Sequence, residues 1–173
     1  MSADASRALK VITGSSRFGT TAEKSTVAQA AKVLVEAWPL STTGREDICR
    51  VYTAADAPDF ELRITWRLAD GLPTGAPAPK FTVLKMGEET LAAADMAYVQ
   101  FACRSDRFAG STTAAHIVIG AERWGTPKEP EGDVEALKDA YVTVAHSFSL
   151  AMAEELRCEK NGGLPARPVL DPA

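Results

Sequence analysis

Apolar residues recur through Gly132–Cys158 at Val134, Leu137, Tyr141, Val144, Phe148, Met152 and Leu156. Steps of three and four residues put them on one stripe of an α-helix. Glu135, Lys138, Asp139, Thr143, His146 and Glu154 fall mostly off that stripe, which predicts a solvent-facing His146. Asp133 is placed to accept hydrogen bonds from the first free N–H groups, and Glu135 suits the positive helix end. Asn161-Gly162-Gly163, followed by Pro165, supplies the stop. This is the longest periodic segment, and its stripe needs an apolar surface to cover.

Upstream the period shortens. In Glu61–Ala69, Leu62, Ile64, Trp66 and Leu68 alternate with Glu61, Arg63, Thr65 and Arg67. That is the pattern of an antiparallel strand with one buried face. Strands are also predicted at Ile48–Thr53, Phe81–Met86, Met96–Arg104 and Ala114–Ala121. Met96–Arg104 is apolar on both faces and should be central. Ala8–Thr13 reads as a further short strand. Thr21–Trp38 reads as a helix with Val27, Ala30, Ala31, Leu34, Ala37 and Trp38 on its stripe, ended by Pro39. Residues 87–95, GEETLAAAD, read as a turn or a single helical turn. A turn is expected at Pro58-Asp59.

The order is helix, strands, helix, with no βαβ alternation. It predicts an α+β fold: a single antiparallel sheet of about five strands, with an N-terminal helix and a long C-terminal helix packed on one face. Helix-grip, cone-shaped and PsbP-like two-layer folds all fit this order. Residues 1–173 are expected to form a single domain, large enough to bury about 70% of its unfolded surface. Within it, 1–7 are expected to be flexible and 164–173 to form an extended Pro-rich tail along the surface.

The net charge of −4 and pI of about 5.3 argue against general binding to nucleic acid or to an anionic membrane. No apolar run approaches the roughly eighteen residues a membrane helix needs. The opening MSADASRALKVITG has no apolar signal core. Two readings follow: a cytoplasmic protein, or one whose export segment lies outside this sequence. Cys49, Cys103 and Cys158 lie outside metal-ligand spacing of one another and form no CxxC, which argues against a zinc-ribbon or thioredoxin-like redox site; no metal or cofactor is assigned, and the three thiols fit either one disulfide and a spare or three inert buried thiols.

Gly14 and Gly19 have the separation of a phosphate loop, but Thr20 and Thr21 stand where Lys and then Ser or Thr are needed, and Lys24 is out of register. This stretch reads as a loop ahead of a helix. GxSxG, HExxH, SxxK and paired metal ligands are absent, and His116 has no carboxylate partner visible in the sequence. No catalytic residue is therefore assigned. The polar face of the sheet is the better candidate for binding. Alternation turns Arg63, Thr65 and Arg67 outward. If Val99, Phe101 and Cys103 face the core, Tyr98, Gln100 and Arg104 face out. If Ile117 and Ile119 point inward, His116 points outward. The candidate ligand-binding residues are then Arg63, Arg67, Tyr98, Gln100, Arg104 and His116, with three guanidiniums offering bidentate hydrogen bonds to an anion. The plainer alternative is a solvated sheet face. Trp124 is a candidate contact for a protein partner, with capping of the core as its alternative.

A disulfide is expected between Cys103 and Cys158, leaving Cys49 free. Cys103 ends the central strand on the face of Val99 and Phe101, and Cys158 ends the long helix beside Leu156. A helix that packs back along the last strand returns its C-terminus to where the preceding strand ended. The helix measures about 40 Å and the strand nearer 27 Å, so tilt has to absorb the overshoot. Cys49 with Cys103 is the competing pair, if the first strand neighbours the fourth.

Three stretches together carry a resemblance: CRVYTAADAPDFELR at 49–63, YVQFACRS at 98–105 and AEELRCEKNGGLPARPVL at 153–170. They resemble a group of actinobacterial extracytoplasmic domains of unknown function, typically tethered by an N-terminal membrane anchor. The resemblance implies a location outside the membrane and no particular activity. With no catalytic motif, the expected function is a non-enzymatic binding or interaction module for a protein or small anionic ligand. The alternative is a small-molecule-binding or enzymatic domain of helix-grip or cone-like type that uses the Arg-rich sheet face.

Overall fold

The computed structural model describes residues 2–15, 18–20 (backbone only), 26–38, 45–53, 61–108, 110, 112–125 and 132–173. Among these residues it is an α+β fold of three α-helices and seven strands: α1 (Ala3–Thr13), β1 (Phe18–Thr20), α2 (Val27–Ala37), β2 (Glu46–Thr53), β3 (Glu61–Ala69), β4 (Thr82–Leu84), β5 (Glu89–Ala92), β6 (Met96–Cys103), β7 (Ala115–Trp124) and α3 (Val134–Glu155). The strands form one sheet in the order β1-β2-β3-β7-β6-β5-β4, and every pairing is antiparallel. The expected class holds. The sheet gains β1 and β5 over the strands read from the sequence, both too short for alternation to stand out.

Ala8–Thr13 is helical, not a strand. The apolar run of the predicted strand is the second half of a helical stripe that starts at Ala5. Ala5, Ala8, Leu9 and Ile12 are buried at helical spacing, and Ser2 Oγ caps the first turn by accepting from Ala5 N–H at 3.1 Å. Helix therefore begins at Ala3, inside the segment expected to be flexible, and α1 packs against α3. α2 starts at Val27, where Thr26 Oγ1 accepts from Gln29 N–H at 3.2 Å. The expected earlier start at residues 21–25, the stop at Pro39 and the turn at 58–59 lie outside the described residues.

The core lies between the sheet and the helices. Leu62, Ile64, Trp66 and Leu68 of β3, Val99 and Phe101 of β6, and Ile117 and Ile119 of β7 all face it. α3 lies over β5, β6 and β7, and α2 over β2 and β3. Asp133 caps α3 by accepting from Glu135 N–H at 3.0 Å and Ala136 N–H at 3.2 Å. His146 is not solvent-facing: it is buried, with Nε2 2.8 Å from the Pro165 carbonyl oxygen. The returning tail covers the helix side where His146 sits, which helix periodicity alone cannot register.

Past α3 the chain bonds Cys158 to Cys103, with Cα atoms 4.9 Å apart, and leaves Cys49 as the free thiol. The expected stop at Asn161-Gly162-Gly163 is a turn of residues with positive φ. Gly162 has φ +67°, and a Cβ there would stand 2.6 Å from the Phe101 ring, so both the backbone and the space require glycine. The tail then reaches β4: Lys85 N–H donates to Asp171 O at 3.4 Å, and Ala173 N–H to Val83 O at 2.9 Å. It thereby covers a sheet edge that would otherwise offer free backbone groups.

Candidate functional site

The sheet face opposite the helices is built in rows, because antiparallel partners share a face. One row runs Arg67 (β3), Val118 (β7), Gln100 (β6), Glu89 (β5). The next runs Thr65, Gly120, Tyr98, Leu91. These two rows and Arg45 line a cleft of about 410 Å3. A third row, Arg63, Glu122, Met96, borders it on one side, and Ala69, His116, Ala102 on the other.

Glu122 anchors the floor. It is buried, and it accepts hydrogen bonds from Arg45 Nη1 and from Thr65 Oγ1, the latter at 3.4 Å. Burying a carboxylate is costly unless partners of this kind meet it. The carboxylate raises the pKa of Arg45. Burial, then the Glu122 charge, push the Tyr98 phenol up to about 12. Gly120 sits where these side chains converge. A Cβ there would lie 2.7 Å from Thr65 Oγ1, 3.0 Å from Glu122 Oε1 and 3.1 Å from the Tyr98 ring. The glycine is required by space and not by its backbone angles.

At the other side, Gln100 is 5% exposed. Its Nε2 donates to Gly71 O at 2.8 Å and to Glu88 Oε2 at 3.3 Å. Glu88 in turn meets His116 Nδ1 at 2.8 Å. His116 therefore does have a carboxylate partner, which the sequence does not reveal because Glu88 falls in residues 87–95, expected to be a turn or a single helical turn. Glu89 lies in the same segment; burial raises its pKa and the Arg67 charge opposes that rise.

The residues singled out from the sequence separate into groups. Arg67, Tyr98 and Gln100 line the cleft. Arg63 shares the face, but it donates to Glu61 and stacks on Trp124, its Cζ 3.6 Å from the ring centroid. Trp124 is 39% exposed. His116 belongs to the row beyond Gln100. Arg104 lies past the end of β6, exposed, where its carbonyl accepts from Glu159 N–H at 2.9 Å. The three guanidiniums of Arg63, Arg67 and Arg104 are therefore not gathered at one point. Sequence reasoning missed Arg45, Glu89, Gly120 and Glu122. A β7 that runs three residues further, to Trp124, puts Glu122 on the outward face by parity with His116.

A second cleft of about 250 Å3 lies between α1, α3 and the tail, lined by Asp4, His146, Glu154 and Pro168 among others. Burial lowers the His146 pKa, and the Pro165 carbonyl opposes this. Among the described residues, no group of three or more His, Cys, Asp or Glu side chains is placed to hold a metal ion. Among the same residues, no helix is long and apolar enough to cross a membrane.

Compared with family models, curated proteins and solved structures, the chain matches none of them.

Proposed function

We propose that this chain is a non-enzymatic binding module that works outside the cytoplasm and holds a small ligand in the cleft of its open sheet face. The cleft itself carries the reading. Its floor is a hydrogen-bonded set of buried polar groups around Glu122, on rigid central strands, where a plain solvated sheet face would carry exposed side chains. Leu91 and Val118 supply apolar surface beside those groups. The Cys103–Cys158 bond supports the location, because disulfides persist in oxidising compartments.

A second reading, a small-molecule enzyme of helix-grip or cone-like type, draws on the Glu88–His116 pair beside the cleft. A carboxylate that orients an imidazole is a common acid–base arrangement. Here the same carboxylate also receives Gln100, so the pair has a positioning task without any chemistry.

A fragment library screened by two-dimensional amide NMR on the oxidised protein tests the main reading. Bound fragments are expected to shift the Thr65, Tyr98, Gln100 and Gly120 amides, and Val118→Trp should abolish those shifts. A library that leaves these amides unmoved overturns the reading. Turnover of a bound fragment that is lost in His116→Gln would favour the second.

A further inference from the structure

The cleft's polar groups differ in what they have left to offer. Thr65 Oγ1 donates to Glu122, and the Tyr98 hydroxyl lies 3.5 Å from Met96 Sδ and beside the same carboxylate. Arg45 is held by Glu122 and Arg63 by Glu61. Arg67 is exposed and forms no salt bridge among the described residues; its charge acts on Glu89 across the cleft, and its guanidinium stays open to a ligand. Both amide hydrogens of Gln100 are taken by Gly71 and Glu88, which leaves its Oε1 as an acceptor in a side chain that is almost wholly buried. Glu89 is the second acceptor, and it lines the same cleft.

These groups fall on one row. Arg67 and Glu89 stand at its two ends, Val118 and Gln100 between them, three strand spacings or about 14 Å at the backbone. The row thus reads donor, apolar, acceptor, acceptor. A simple anion on Arg67 would bring its charge toward Glu89, and a simple cation on Glu89 would approach Arg67. A molecule carrying both charges satisfies both ends and places its apolar body over Val118 and Leu91.

We infer that the cleft takes a small zwitterion, an amino acid or short peptide, with its carboxylate on the Arg67 guanidinium and its ammonium between Gln100 Oε1 and Glu89. This rests on the reading of the cleft as a ligand site. Bidentate Arg–carboxylate geometry supplies orientation as well as affinity. The ammonium has two acceptors, one neutral and fixed, one charged.

Calorimetry on the oxidised chain tests this with four probes: L-leucine, L-leucyl-L-leucine, N-acetyl-L-leucine and L-leucinamide. One or both zwitterions should bind, and each blocked leucine roughly 10- to 100-fold more weakly. Which zwitterion binds separates the amino acid from the peptide. Arg67→Ala should weaken the bound zwitterion by a similar factor and leave leucinamide unchanged. Glu89→Gln should weaken it and leave N-acetyl-leucine unchanged. Far-ultraviolet circular dichroism checks that both variants keep the fold. Equal affinity for zwitterions and blocked probes overturns the inference. So does the absence of binding by all four probes while library fragments still shift the cleft amides, a result that leaves the cleft reading standing. If no fragment shifts those amides, both fall together.

Discussion

The Arg63 guanidinium carbon lies 3.6 Å from the centroid of the Trp124 ring, and the same side chain donates to Glu61. A cation held over an indole face and partly desolvated is worth about 1 kcal/mol. Arg63→Ala should therefore destabilise by about that amount and shift Trp124 emission to longer wavelength. Arg67→Ala, on the same strand face but exposed and without an ion-pair partner among the described residues, should change stability by less than about 0.5 kcal/mol. Urea titrations of the two variants make the comparison. Equal costs would mean that the stacking contributes nothing measurable.

Cys103 and Cys158 close a loop with a sequence separation of 55. Loop-closure entropy alone gives that crosslink roughly 4 kcal/mol of stabilisation. Reduction should lower the denaturation midpoint accordingly. Peptide mapping without reduction should recover the 103–158 crosslink and one alkylatable thiol, Cys49. Burial pushes that thiol up to about 11, so it should react slowly at neutral pH in the folded protein and quickly after unfolding. A crosslink through Cys49 would contradict the assignment.

Gly120→Ala places a methyl 2.7 Å from Thr65 Oγ1 and 3.0 Å from Glu122 Oε1. Overpacking of this kind costs about 1 to 3 kcal/mol. It should also displace the Thr65 contact to Glu122 and shift the Tyr98 amide. An unaltered melting temperature would show that the cleft floor yields at no cost.

The His146 imidazole is buried, so its folded pKa lies below the ordinary value of 6.5, with the Pro165 carbonyl opposing the shift. The unfolded chain then takes up a proton before the folded one does. Stability should fall as the pH drops below about 6.5, and this contribution should level off once the folded pKa is passed. Asp4 and Glu154 share the cleft with His146 and are present in both proteins. His146→Gln, which keeps a donor for Pro165, should therefore flatten the loss measured by denaturation between about pH 7 and pH 5. Parallel losses in both proteins would exclude His146 as the cause.

Where the pattern was long, it was readable without the fold. Twenty-two residues of α3 and nine of β3 repeat their periods often enough to stand out. β5 has four residues, too few for alternation to register, and so Glu89 was not seen as a strand residue. α1 is not legible from Ala8–Thr13 alone, because a short apolar run looks alike as helix or strand until its cap, Ser2, is counted.

By itself the sequence determined the α+β class, the inward side of β3, and the turn that ends α3. It also supported the Cys103–Cys158 pairing, because strand and helix lengths constrain where those two ends can meet. These are local or additive properties: period, parity and reach. The tertiary structure decided which outward residues belong together. Register across β3, β7, β6 and β5 brings Arg67, Gln100 and Glu89 onto one row, though none is close to another in sequence. It also decided which cations a ligand can reach, since carboxylates bind Arg45 and Arg63, while Arg67 forms no salt bridge among the described residues. It likewise buried His146 under a tail whose path no periodicity records. Pairings of this kind depend on strand order, and strand order is fixed by the burial of the whole sheet, not by any one segment.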